Sequence, residues 1–218
     1  NDSIFSSGIN KAASSDSYFY SYLKLKNYIS TNPKIDTVFL SFAPHNVFDN
    51  GWLLSDSHIY SRFRNYYYLM DWSDFKFLLS KNPQAVITSI PSIIEQTYQN
   101  SVQKINGIKI SRSYGGFINL DRDILADVKL KLINEEPLPF FKIPDNFTLS
   151  KEEITYLDKI ILCCNKNDIK LYLINLPKRA ELLNYTKYGV NHFQSLYDEK
   201  YNKVDFLDFS TIELPDDN

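Results

Sequence analysis

Two short stretches constrain this chain more than any other feature: "IDTVFLSF" at 35–42 and "IKLYLINLP" at 169–177. Both are apolar on either face and rich in β-branched and aromatic residues, the pattern of a strand buried inside a parallel sheet. Each follows a helical pattern. Ahead of the first, Tyr18, Tyr22, Leu25 and Ile29 recur at helical spacing. Ser15, Asp16 and Ser17 offer oxygens to cap that helix, and Asn32-Pro33 ends it. Ahead of the second, Ser150 and Glu153 form a capping box before an apolar stripe at Ile154, Leu157, Ile160, Ile161 and Cys164. A third short strand is expected over Val204 to Phe209. Helices alternating with buried strands predict an α/β fold with a mostly parallel sheet.

At 218 residues the chain fits one α/β domain over 1–218, with an aromatic-rich insertion at about 50–148. Within the insertion, "HIYSRFRNYYYLMDW" reads as aromatic loops, Ser73 to Leu79 as a helix, and Val86, Ile90, Ile93 and Ile94 as a further helix despite Pro91. Gly115-Gly116 suggests a hairpin and "EEPLPFFKIPDN" a proline-broken loop.

Such sheets bind ligands beyond the carboxyl ends of their strands. Ala43-Pro44-His45-Asn46, Asn175-Leu176-Pro177-Lys178 and the segment after Asp208 therefore fall on one rim, with His45 and Asn46 as candidate site residues. A polar turn closing the strand is the plainer reading of His45 and Asn46, and a helix N-cap is the plainer reading of Ser14 and Ser15.

Several pieces together resemble the SGNH (GDSL-type) hydrolases and acyltransferases. "SFAPHN" is similar to the family block in which a strand leads to a Gly-x-Asn motif whose Asn donates to the oxyanion; Asn46 matches that Asn, and Ala43 or Pro44 stands where Gly is usual. "INKAASSDSYFYSYLKL" resembles the block that supplies a backbone oxyanion donor, with Ser14 or Ser15 in the Gly position. "LYLINLPKR" and "VDFLDFSTIELPDDN" are similar to later strands of the family. The resemblance implies a flavodoxin-like three-layer α/β/α fold, an acyl-ester substrate with carbohydrate as one candidate carrier, Asn46, Ser14 and Ser15 as oxyanion-hole candidates with His45 a weaker one, and no cofactor or metal. The family's Gly-Asp-Ser and Asp-x-x-His blocks, which carry nucleophile and base, have no counterpart here. Acyl transfer needs nucleophile, base and oxyanion donors as a unit, so the chain as it stands is expected to be inactive. It does not open on Met, as expected of a piece of a longer polypeptide. The family's first strand lies between the next two, so its absence leaves a homodimer open as one way to complete the sheet. A non-catalytic binding or scaffold domain is the alternative.

Composition narrows the partners. Net charge is −2, without a run of either sign that would neutralise phosphates, which argues against nucleic acid. No apolar run approaches the roughly 20 residues that span a bilayer. Compartment is not legible. The adjacent Cys163 and Cys164 are expected to pack rather than staple or ligate. His58 and His192 lack companions at ligand spacing and read as surface or loop residues. Asp121, Asp123, Glu135 and Glu136 read as solvated loop charges, and "SDSH" at 55–58 as a chance echo of a nucleophile motif. Tyr60, Tyr66, Tyr67 and Tyr68 are a candidate sugar-stacking platform, with packing the plainer use. Asn146 and Asn184 fit the glycosylation acceptor pattern, which an Asn-rich chain produces by chance.

Overall fold

A computed structural model describes residues 11, 16–32, 34–49, 53–106, 148–177 and 190–212. The fold is α/β and divides into two compact units, one formed by residues 1–31 and 51–118, the other by 32–50 and 119–218. The Gly115-Gly116 hairpin, the proline-broken loop, the acidic residues between 121 and 136 and both glycosylation acceptors, Asn146 and Asn184, lie outside the described residues.

The described part of the first unit is helical: α1 (Tyr18–Thr31) and then, in the chain order of the whole protein, α3 (Asp56–Tyr66), α4 (Trp72–Lys81) and α5 (Pro83–Ile105). Helix α1 buries Tyr18, Phe19, Tyr20 and Leu23, whereas Tyr22, Leu25 and Ile29 are only half-buried, so its inward face is rotated from the expected stripe. The reason lies in its neighbours: Phe19 stacks on Phe77 of α4 and Tyr20 lies against Tyr66 of α3. The "aromatic loops" are corrected by α3, which begins where Ser55 accepts a hydrogen bond from the His58 N–H. Tyr66 is buried while Tyr60 and Tyr68 are exposed, so the tyrosines do not form one platform. Asp71 caps α4 through the N–H groups of Ser73 and Asp74, and Asn82 caps α5 through that of Ala85. Pro91 sits inside α5, as the sequence pattern allowed.

The second unit holds β1 (Thr37–Ser41), the one-turn helix α2 (Pro44–Val47), α6 (Lys151–Lys166), β2 (Lys170–Asn175), α7 (Val190–Leu196) with a π-turn over Tyr197–Tyr201, and β3 (Asp205–Asp208). The three strands form one parallel sheet in the order β1-β2-β3. Val38 pairs with Leu171, Leu40 with Leu173, and Leu173 with Phe206, so these residues share the face on which Leu171 and Leu173 are buried. Phe42, fully buried just past β1, is surrounded by the rings of Phe193, Tyr197, Tyr201 and Phe206.

Helix α6 follows its predicted stripe closely: Ser150 accepts from the Glu153 N–H, and Leu157, Ile160 and Cys164 are buried. Both cysteines are free thiols, and burial pushes the Cys164 thiol up to about 12. Strand β1 departs from expectation. It stands at the edge of the described sheet, its residues alternate exposed and half-buried, and Phe39 is 46% exposed while stacking on Tyr172. An apolar residue on both faces signals burial only where both faces meet other elements, and the sequence does not say which strand is central. Among the described residues no helix is long and apolar enough to cross a membrane.

Candidate functional site

The turn after β1 shows why a strand ends on Pro-His-Asn. The Phe42 N–H donates to the Ile174 carbonyl at 2.7 Å, carrying the β1–β2 ladder one residue past the strand. Ala43 is extended, and Pro44 then opens α2 at a position where a helix has no use for the missing N–H. Asn46 closes the turn onto Ala43 twice. Its backbone N–H donates to the Ala43 carbonyl at 2.9 Å, and its side-chain Oδ1 accepts the Ala43 N–H at 3.0 Å. The Ser41 hydroxyl donates to the same Oδ1 at 3.2 Å.

These contacts orient the amide. A backbone N–H can only donate, so the Asn46 atom facing it is the oxygen and the NH2 group points the other way. Asn46 is half-buried, its Oδ1 is engaged by two donors, and its Nδ2 is left to donate elsewhere. The turn is anchored from behind: Ser150 N–H donates to the Val47 carbonyl, Asp49 N–H to the Thr148 carbonyl, and Phe48 bridges Leu149. His45, on the same helical turn, is exposed.

Ser41 pairs with Ile174, and Asn175 pairs with Asp208, so the carboxyl ends of β1, β2 and β3 lie side by side. The exits at 43–46, at 175–177 and after 208 thus share one sheet edge, as the strand pattern predicted. Ser14 and Ser15 lie outside the described residues. Two residues on this edge were not named as site residues from the sequence, although the exit beginning at Asn175 was placed on the rim. Ser41 steadies the Asn46 amide. Asn175 is buried at the end of the central strand, its carbonyl accepts the Phe209 N–H at 2.8 Å, and its side-chain Oδ1 has no hydrogen-bond partner among the described residues. The signal for Asn175 was present in the period-2 run Leu171, Leu173, Asn175, where a polar residue occupies an inward position.

A second polar cluster belongs to the helical unit. The buried Asp16 carboxylate accepts from Lys24 Nζ at 2.7 Å and from the Tyr66 hydroxyl at 2.9 Å, and pairs with Arg62 Nη1 at 3.2 Å. Asp16 therefore ties α1 to α3 rather than capping α1, and the Ser17 hydroxyl is buried without a hydrogen-bond partner among the described residues. His58, expected at the surface, is instead buried beside Tyr20 at 5.6 Å between ring centres. Burial, helped by the Arg62 charge and opposed by Asp16, pushes its pKa down to about 4, so it is neutral at pH 7. His192 is exposed, as expected. Among the described residues no group of three or more His, Cys, Asp or Glu side chains is placed to hold a metal ion.

Comparison with protein-family models, with curated proteins and with solved structures finds no match for this chain.

Proposed function

We propose that this chain carries the oxyanion-stabilising part of an SGNH-type ester hydrolase or acyltransferase of flavodoxin-like, three-layer architecture. One observation carries the reading. At the carboxyl edge of a parallel sheet, Asn46 has its carbonyl oxygen engaged by Ala43 and Ser41, so its amide NH2 is a fixed donor. A donor oriented before reaction stabilises a developing oxyanion without having to reorganise. Ser41 and the backbone of Ala43 act as positioning groups. His45, exposed on the same turn, is a weaker participant. The substrate class is an acyl ester, with carbohydrate as one candidate carrier, and the chemistry calls for no cofactor.

The test is acetyl-ester hydrolysis by the polypeptide as its gene encodes it, since the nucleophile and base blocks have no counterpart in these 218 residues. Asn46→Ala is expected to lower kcat by about 10²–10³ with KM little changed, the cost of removing one oxyanion donor. Absence of turnover in that polypeptide, or turnover indifferent to Asn46→Ala, removes the enzyme reading. It would leave the alternative, a non-catalytic binding or scaffold domain, which the Ala43-Pro44-His45 departure from the Gly-x-Asn pattern also fits.

A further inference from the structure

Helix α5 has more apolar surface outside than its inward side can account for. Inward it carries buried Val86 and half-buried Ile93 beside Ala85, Ser89, Ser92 and Gln96, small or polar residues that are buried or half-buried. Its outward side carries Ile87, Ile90, Ile94, Tyr98 and Ile105, which are 58, 40, 63, 66 and 82% exposed. At 3.6 residues per turn these five fall within an arc of about 80°. They follow one another at steps of three, four, four and seven residues, the 3-4 alternation that seats one helix against another. A surface helix of a monomer normally shows the reverse distribution.

We propose that this stripe is a self-association surface, packed against α5 of a second copy of the chain in an antiparallel pair. Three arguments select this occupant. The first is area. The five side chains leave on the order of 600 Å² of apolar surface, the upper end of what a monomer exposes and close to the ~800 Å² per partner of a specific interface.

The second is self-matching. With the two-fold axis level with Gln96, Ile87 lies opposite Ile105 of the second copy, Ile90 opposite Val102, and Ile94 opposite Tyr98. Antiparallel helices also set their dipoles head to tail.

The third is charge. From Pro83 to Ile105 the only charged residues are Glu95 and Lys104, so the helix lacks the Lys- and Arg-rich polar face with which an interfacial helix holds anionic lipid. This inference stands apart from the esterase reading and survives its failure.

The test is sedimentation velocity on the full 218-residue chain from about 1 to 100 µM, with co-sedimentation on phosphatidylglycerol vesicles alongside. The wild type is expected to reach twice the monomer mass in this range. Ile94→Glu, at an exposed position, is expected to stay at monomer mass with an unchanged far-UV circular dichroism spectrum. Because 94 faces 98 only in the antiparallel register, mixing Ile94→Glu with Tyr98→Lys is expected to restore the dimer mass, each variant alone being monomeric. A wild type monomeric throughout, a dimer indifferent to Ile94→Glu, vesicle binding in place of dimerisation, or failure of the mixed pair to associate would each overturn the proposal.

Discussion

Asp16 illustrates how one side chain is committed by its surroundings. Its carboxylate is 4% exposed and answers two cations, Lys24 at 10% and Arg62 at 20% exposure, together with the Tyr66 hydroxyl. Removing one member of a buried ionic group leaves the others desolvated and unanswered. Asp16→Ala is therefore expected to cost about 3–5 kcal/mol in urea unfolding, several times the cost of deleting an exposed pair such as Lys200–Asp158. A loss below about 1 kcal/mol would show that the cluster is hydrated in solution. His58 makes the same region sensitive to acid. Its pKa is held near 4, below the ordinary 6.5, so the unfolded chain takes up the proton first. The stability associated with neutral His58 is complete above pH 6.5 and declines as pH falls from 6.5 toward 4. The melting temperature should fall over that window in the wild type and stay flatter in His58→Gln; equal slopes would exclude His58 as the source. Neither residue's role was legible in the sequence, because burial of a lone His depends on what packs over it, and Asp16 reads as a cap until a partner 46 residues away is known.

At the scale of elements, local chemistry was the more reliable guide. Helix α6 forms where its capping serine and 3.6-residue stripe predicted, since both signals lie within one segment and need no distant partner. Ser150→Ala is expected to cost about 1 kcal/mol, read as a lower urea midpoint at unchanged slope, because one N–H of the first turn loses its acceptor. Strand β1 and helix α5 had equally clear patterns, and in both the pattern located the element without saying what it faces. Strand β1 has its apolar residues but stands at the described sheet's edge. In α5 Val86 is buried and Ile93 half-buried while Ile90 and Ile94 point outward, so part of a pattern that ordinarily marks a core marks the proposed interface instead. The Pro-His-Asn turn was legible as a strand exit on a binding rim; that the Asn46 amide is oriented through Ala43 and Ser41 needed coordinates.

For the molecule as a whole, the sheet is small and its core is aromatic. Phe42 contacts four rings drawn from α7, the π-turn and β3, so a single residue just past β1 joins all three to the sheet's first strand. Phe42→Ala should cost about 3–5 kcal/mol and lower the cooperativity of sheet-unit unfolding, seen as early loss of amide protection in β3 under hydrogen exchange. Retained β3 protection would mean that the ring cluster is not what holds that strand. By itself the amino-acid order located α1, α4, α5, α6 and the three strands, and placed the strand exits on one edge, because hydrophobic period, caps and prolines act over a few residues; it did not show that the aromatic run of α3 is helical. Tertiary structure alone decided which strand is central, which side of α5 meets solvent, and that His58 is buried with its pKa held down. Those outcomes depend on partners far away in the chain, and no local pattern encodes which of two apolar faces a distant element will cover.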